Sequence, residues 1–206
     1  MAGWTSDGRL NFDRETGQPG AARVETNFPL SSLSGKSFTV EFTGTHNWGT
    51  QTWSPFIGQS GTIGQIFFFG KQSGAQQLHY NFAGIGSATS HAVPIADGKE
   101  HRLAVVFDDA ADTVWMYFDG NPVAKHTGRT GTLTAAEYLW LGSIAHSPAA
   151  EYWNGFADNV RISDVALARD QLMGAVAPPP VRPLLVVSNR FNSVPNTTPG
   201  GVRDDA

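Results

Sequence analysis

The chain has 206 residues, no cysteine, 16% charged side chains and a formal net charge of −4. The missing cysteine excludes thiolate metal centres, cysteine nucleophiles and disulfide scaffolds together. The mild acidic balance disfavours nucleic acid as the main ligand, and the length suits one domain with or without a tail better than a two-domain enzyme.

Met1 to Asp13 carries no basic and no apolar stretch of the kind that directs secretion. No apolar run reaches the ~18 residues needed to cross a bilayer. The expectation is a protein made in the cytoplasm without a signal peptide and with no membrane contact. Phe38, Val40 and Phe42 alternate with Thr39, Glu41 and Thr43, which predicts a strand buried on one face. Gln65–Lys71, with three consecutive Phe, predicts a strand buried on both faces. Leu78, Tyr80 and Phe82 alternate with His79 and Asn81. His101–Asp108 and Thr113–Asp119 predict a hairpin across the acidic loop Asp108–Asp112. Asp119-Gly120 predicts a tight turn, because that pair tolerates positive φ, with a return through Pro122–His126. Tyr138–Ile144 and Phe156–Ile162 close the series. Strands every 8–15 residues, separated by Gly, Asn and Asp, indicate an antiparallel all-β sandwich.

One segment asks to be a helix. Asp164 is placed to cap it, and Val165, Leu167, Ala168, Leu172 and Met173 form a short apolar stripe that Gly174 ends. From residue 177 the composition changes, and residues 177–206 hold half of the twelve prolines. The organisation expected is therefore a domain over residues 1–176 and an extended Pro-rich arm over 177–206. Pro180, Leu184, Leu185, Val186, Val187 and Phe191 are the arm's candidate docking residues. The arm is either a free tail or a strap whose apolar segment adds a strand to a partner.

The run Asp97–Asp108 (DGKEHRLAVVFD), then Val114–Gly120 (VWMYFDG), Leu139–Gly142 (LWLG) and Trp153–Ile162 (WNGFADNVRI) resembles the laminin-G-like members of the concanavalin A-like lectin/glucanase superfamily. Leu30–Thr43 resembles the early strand of the same family, so the likeness spans about residues 20–173. Arg102 and Leu103 stand where a second His and an aromatic often sit in the family, and Asn159 replaces the acidic residue after Asp158. The resemblance implies a two-sheet jelly roll with one concave sheet. It does not settle function, because the fold hosts lectins, glycosidases, adhesion modules and virion proteins.

Glycosidases of this superfamily use paired carboxylates on one strand, and no such E-x-D-x-x-E motif is present. Glu41 is alone on its strand, and a hydrolase would have to rely on it. Gly58-Gln59-Ser60-Gly61 is not a nucleophile elbow, and Gly64–Lys71 is not a phosphate loop. The six His never fall at metal-binding spacing. No enzyme and no cofactor are expected. A structural calcium is left open, since the resemblance puts Asp158 at the family's Asp, with Asp13 able to approach it.

Aromatic residues are the remaining candidates. Asn47, Trp48, Gln51 and Trp53 combine rings and amides in a Gly-punctuated loop, as glycan sites do, and Trp153 precedes the final strand. These five are the candidate glycan or protein contacts. The first functional expectation is a structural component of a large assembly, a phage capsid decoration or tail-surface protein on a virion. Its partners would be neighbouring subunits, either self or a major capsid or tail protein. The alternative is a lectin-like module that recognises cell-surface glycans.

Overall fold

The computed structural model describes residues 3–12, 23–47, 53–59, 66–72, 76–135, 137–144, 151–175 and 185–188. Among the described residues, fourteen strands and two 3-10 turns make up the regular structure. The strands are β1 (Gly3–Trp4), β2 (Leu10–Asn11), β3 (Val24–Pro29), β4 (Phe38–His46), β5 (Ser54–Gln59), β6 (Phe67–Lys71) and β7 (Gln77–Phe82). They continue as β8 (Gly86–Ala92), β9 (Glu100–Asp108), β10 (Thr113–Phe118), β11 (Asn121–Thr127), β12 (Tyr138–Leu141), β13 (Gly155–Ser163) and β14 (Leu185–Ser188).

Two sheets form. One runs β1-β2-β13-β4-β9-β10-β11, with β14 also on β13; the other runs β3-β12-β5-β6-β7-β8. The ladders within both are antiparallel. This is the all-β, two-sheet jelly-roll sandwich that the strand spacing and the resemblance imply. No helix among the described residues is long and apolar enough to cross a membrane.

The core lies between the sheets, where the period-two pattern sends every second residue. Phe38, Val40 and Phe42 from β4 meet Phe67 and Phe69 from β6 and Tyr80 and Phe82 from β7, all buried. Phe38 meets Phe82 edge-on at 5.2 Å, and Phe42 stacks on Phe56 at 4.3 Å. Such offset and edge contacts are the geometries the ring quadrupole favours. At the β10–β11 hairpin, Phe118 pairs with Asn121, and Asp119 and Gly120 take φ of 50° and 74°. That is the two-residue turn the Asp-Gly pair predicts.

The helix expected over Val165–Met173 does not form. The segment is an extended strap with one 3-10 turn at Arg169–Gln171. Tertiary contacts outweigh the helical spacing. Leu167 and Leu172 cover Ala104, Val106 and Tyr117 on the outer face of the eight-stranded sheet. Thr39 Oγ1 donates to the Val165 carbonyl at 2.8 Å and accepts from the Leu167 N–H at 2.9 Å. Consequently β4 is buried on both faces rather than one.

The arm also differs from expectation. Leu185–Ser188 does add a strand, but to β13 of its own chain, in the register Leu185↔Ile162 to Ser188↔Asn159. Beside it, β2 pairs with Phe156 and Ala157 only, so β14 satisfies a stretch of β13 edge that β2 leaves open. Leu185 packs against the core. Pro180, Leu184 and Phe191 lie outside the described residues.

Candidate functional site

Strand alternation that builds the core also decides what the opposite face presents. On β6, Phe67 and Phe69 point inward and Phe68 outward; on β7, His79 and Asn81 point outward between Leu78, Tyr80 and Phe82. Phe68 lies opposite Asn81, and Gly70 lies opposite His79. Glycine is required at 70, because a Cβ there would meet the Ser54 carbonyl oxygen at 2.2 Å. Trp53, just before β5, lies edge-on to Phe68 at 5.9 Å and 4.9 Å from the His79 ring. A bridge between Trp53 and Glu151 carries a carboxylate to the same place.

These side chains, with Ile66 and Ile144, line a cleft of about 200 Å³. That is below the ~300–1,000 Å³ of sites for drug-sized molecules and leaves room for one ring. Burial holds the His79 imidazole at a pKa of about 4, so it is neutral at physiological pH. Its Nδ1 is enclosed, with no hydrogen-bond partner among the described residues. The cleft thus combines flat aromatic surface with an amide, a neutral imidazole and one carboxylate.

A second, larger cleft of about 570 Å³ lies across the molecule, between the strap and the β10–β11 turn, with Arg102 and Arg169 in its wall. Its cations are already engaged. Arg169 donates to the Gly120 carbonyl at 2.6 Å and to Asn121 Oδ1 at 3.0 Å, and Arg102 donates to the Gly174 carbonyl at 3.3 Å. The Arg169 bonds tie the strap to the β10–β11 turn, and the Arg102 bond ties it to β9.

Of the aromatic candidates, Trp53 is in the first cleft and Trp153 is not. Trp153 is 1% exposed, stacks on His46 at 4.2 Å and donates from Nε1 to the Thr45 carbonyl at 2.9 Å. It is a core residue, so the ring expected to contact a glycan or protein is sealed inside the sandwich. Asn47 is half-buried, and its N–H donates to the Asn154 carbonyl. Trp48 and Gln51 lie outside the described residues. Phe68, His79, Asn81 and Glu151 line the same cleft as Trp53, and spacing did not reveal them. The alternation of His79 and Asn81 with core residues is the one signal that pointed to them.

Glu41 is sealed from solvent beneath the strap, 1% exposed, and ion-paired with Arg161. It cannot meet a substrate there. Asp158 is the extra residue of a bulge, between the pairs Ala157↔Gly44 and Asn159↔Thr43. Its carboxylate accepts from Asn159 Nδ2 at 2.6 Å, and Arg161 goes to Glu41 rather than to it. Asp13 lies outside the described residues. No group of three or more His, Asp or Glu among the described residues is placed to hold a metal ion.

A family model, Laminin_G_3, described as the concanavalin A-like lectin/glucanases superfamily, matches residues 3–173. No curated protein sequence matches the chain. Among solved structures, a heptameric SAP-like pentraxin from Limulus polyphemus is 14% identical with a TM-score of 0.62, over 83% of this chain and 84% of that one. The CBM40 of the Ruminococcus gnavus IT-sialidase, bound to α2,3-sialyllactose, is 14% identical with a TM-score of 0.58, over 78% and 97%. A mutant of the NanB sialidase from Streptococcus pneumoniae is 17% identical with a TM-score of 0.60, over 84% of this chain but 27% of the sialidase. At such identities the likeness concerns the fold.

Proposed function

The chain belongs to the concanavalin A-like lectin/glucanases superfamily, and on that premise we propose that it is a carbohydrate-binding module that grips a sugar in the Trp53 cleft. The observation that carries the reading is the cleft's make-up: Trp53 and Phe68 beside His79, Asn81 and Glu151 in a space for one ring. A pyranose has an apolar C–H face that an aromatic ring covers, and hydroxyls that need donors and acceptors. Asn81 supplies both, Glu151 accepts, and the neutral His79 ring offers either according to its tautomer. The sialyllactose-bound CBM40 among the fold relatives supports the same reading.

Binding without turnover fits the chemistry. Glycoside hydrolysis uses two carboxyl groups flanking one bond, and the described lining of this cleft has one, Glu151. Attachment to a larger particle through the arm is less well supported. The arm's strand is used within the chain, and the fold relatives above are lectin-like or sialidase-linked proteins. A glycan array probed with the native chain and with Trp53→Ala tests the proposal. A sugar-dependent signal that the substitution removes supports it; no signal on any glycan refutes it.

A further inference from the structure

Apolar residues supply four of the seven described side chains that line the Trp53 cleft: Trp53, Ile66, Phe68 and Ile144. They do not offer a ligand the same surface. Trp53 and Ile66 are half-buried, whereas Phe68 is 4% exposed and Ile144 is wholly buried. Phe68 therefore presents a small apolar patch, too small to cover the face of a pyranose and large enough for a methyl group.

Asn81 stands beside that patch. It is the ladder partner of Phe68 on the neighbouring strand, which puts the two side chains on one face of the sheet with Cβ atoms ~5 Å apart. His79 lies two residues earlier on the same face of β7, its ring 5.5 Å from that of Phe68. The Asn81 amide has one acceptor oxygen and two donors, so it can donate to another amide's carbonyl or accept from its N–H.

An acetamido substituent joins the two features. Its methyl suits the patch at Phe68, and its carbonyl and N–H, one bond further on, suit Asn81. A hydroxyl at the same ring position can bond to Asn81 but leaves the patch uncovered. We infer that the cleft selects an N-acetylhexosamine, with the pyranose against Trp53, the acetamido methyl against Phe68 and the acetamido amide on Asn81. The inference rests on the glycan-binding reading and adds to it the substituent that is selected and a residue that selects it, Asn81. Burying one methyl and pairing one amide together favour the acetylated sugar by about tenfold.

The test is NMR-detected titration of the full chain with the methyl glycosides of N-acetylglucosamine and N-acetylgalactosamine, against those of glucose and galactose. At least one acetylated glycoside is expected to bind about tenfold more tightly than its plain counterpart. Its acetamido methyl should show intermolecular NOEs to the Phe68 ring, a readout that needs no variant. Asn81→Leu, which keeps the volume and removes the amide, should lower the acetylated-over-plain ratio by about fivefold; unchanged amide shifts at Phe38 and Val105 in the core show that this variant is folded. Plain glycosides binding as well as acetylated ones, or a bound acetamido methyl without contact to Phe68, would overturn the inference while leaving glycan binding intact. An unchanged ratio in folded Asn81→Leu would overturn the role of Asn81. The methyl glycoside of N-acetylneuraminic acid, which carries the same group on a bulkier acidic sugar, is run alongside, and tighter binding of it than of both hexosamines would overturn the choice of carrier. Failure of every glycoside would overturn the underlying reading as well.

Discussion

Arg161 on β13 and Glu41 on β4 sit directly opposite each other in the ladder and form an ion pair on its outer face, buried under the strap. The strap completes the pair. Arg161 Nη2 donates to the Gln171 carbonyl at 2.8 Å, and Glu41 Oε1 accepts from the Met173 N–H. Burial pushes the Glu41 carboxyl up, against the pull of Arg161 and the Met173 N–H. The pair thus welds the terminal strap to the centre of the eight-stranded sheet.

Removing one partner leaves the other charge buried and unpaired. Glu41→Gln and Arg161→Met are each expected to cost about 3–5 kcal/mol in urea unfolding. Replacing both with apolar residues of similar volume is expected to cost less than the sum. An additive double mutant would show that the pair is not coupled.

Thr39 makes two hydrogen bonds to the strap from one hydroxyl. Thr39→Val keeps the shape and removes both, at an expected cost of about 1–3 kcal/mol. Amide exchange at Leu167 should accelerate in this variant more than exchange in β6 or β7. Equal acceleration everywhere would mean that the strap and the sandwich open together.

The pH dependence has a definite sign. Burial lowers the His46 pKa from 6.5 to about 4 in the folded state, and does the same to His79. Above pH 6.5 both states are neutral and the full stability is present. Between 6.5 and about 4 the unfolded chain takes up protons that the folded one refuses, so stability falls as pH falls. For fully buried His46 the loss by pH 4 is on the order of 3 kcal/mol. Tm measured from pH 7 to 4.5 should decline, and His46→Gln should flatten the decline; identical slopes would rule out His46 as a source.

Truncation after Ala175 removes β14 and exposes the β13 edge from Asn159 to Ile162. The main core does not depend on it, so the chain should still fold, less stable by about 1–2 kcal/mol from the partly buried Leu185. Amide protection should fall at 159–162 and stay unchanged in β6 and β7. Unaltered protection at 159–162 would contradict the strand pairing.

How far these features were legible follows from the range of the interactions. Phe38, Val40, Phe42, Leu78, Tyr80 and Phe82 reveal their strands by alternation alone, because each strand's period is local. The Asp119-Gly120 turn is equally local. Val165–Met173 misleads because its apolar residues cover Ala104, Val106 and Tyr117, more than forty positions upstream, and no local pattern records that. Trp153 and Trp53 look alike as rings near strand starts. One is sealed by Phe42, Phe56 and His46, the other opens onto a cleft, and only the packing tells them apart. The triple Phe reads as buried on both faces and is so, Phe68 included, but burial alone does not record which of the three borders the cleft; Glu151 reaches Trp53 through a bridge between residues about a hundred positions apart.

Amide chemical-shift mapping with a saturating neutral methyl glycoside tests the central claim most directly. The account predicts shifts centred on Trp53, Phe68, His79, Asn81 and Glu151, all lost in Trp53→Ala. Shifts centred instead on Arg102, Asp119 and Arg169, or surviving that substitution, would contradict it.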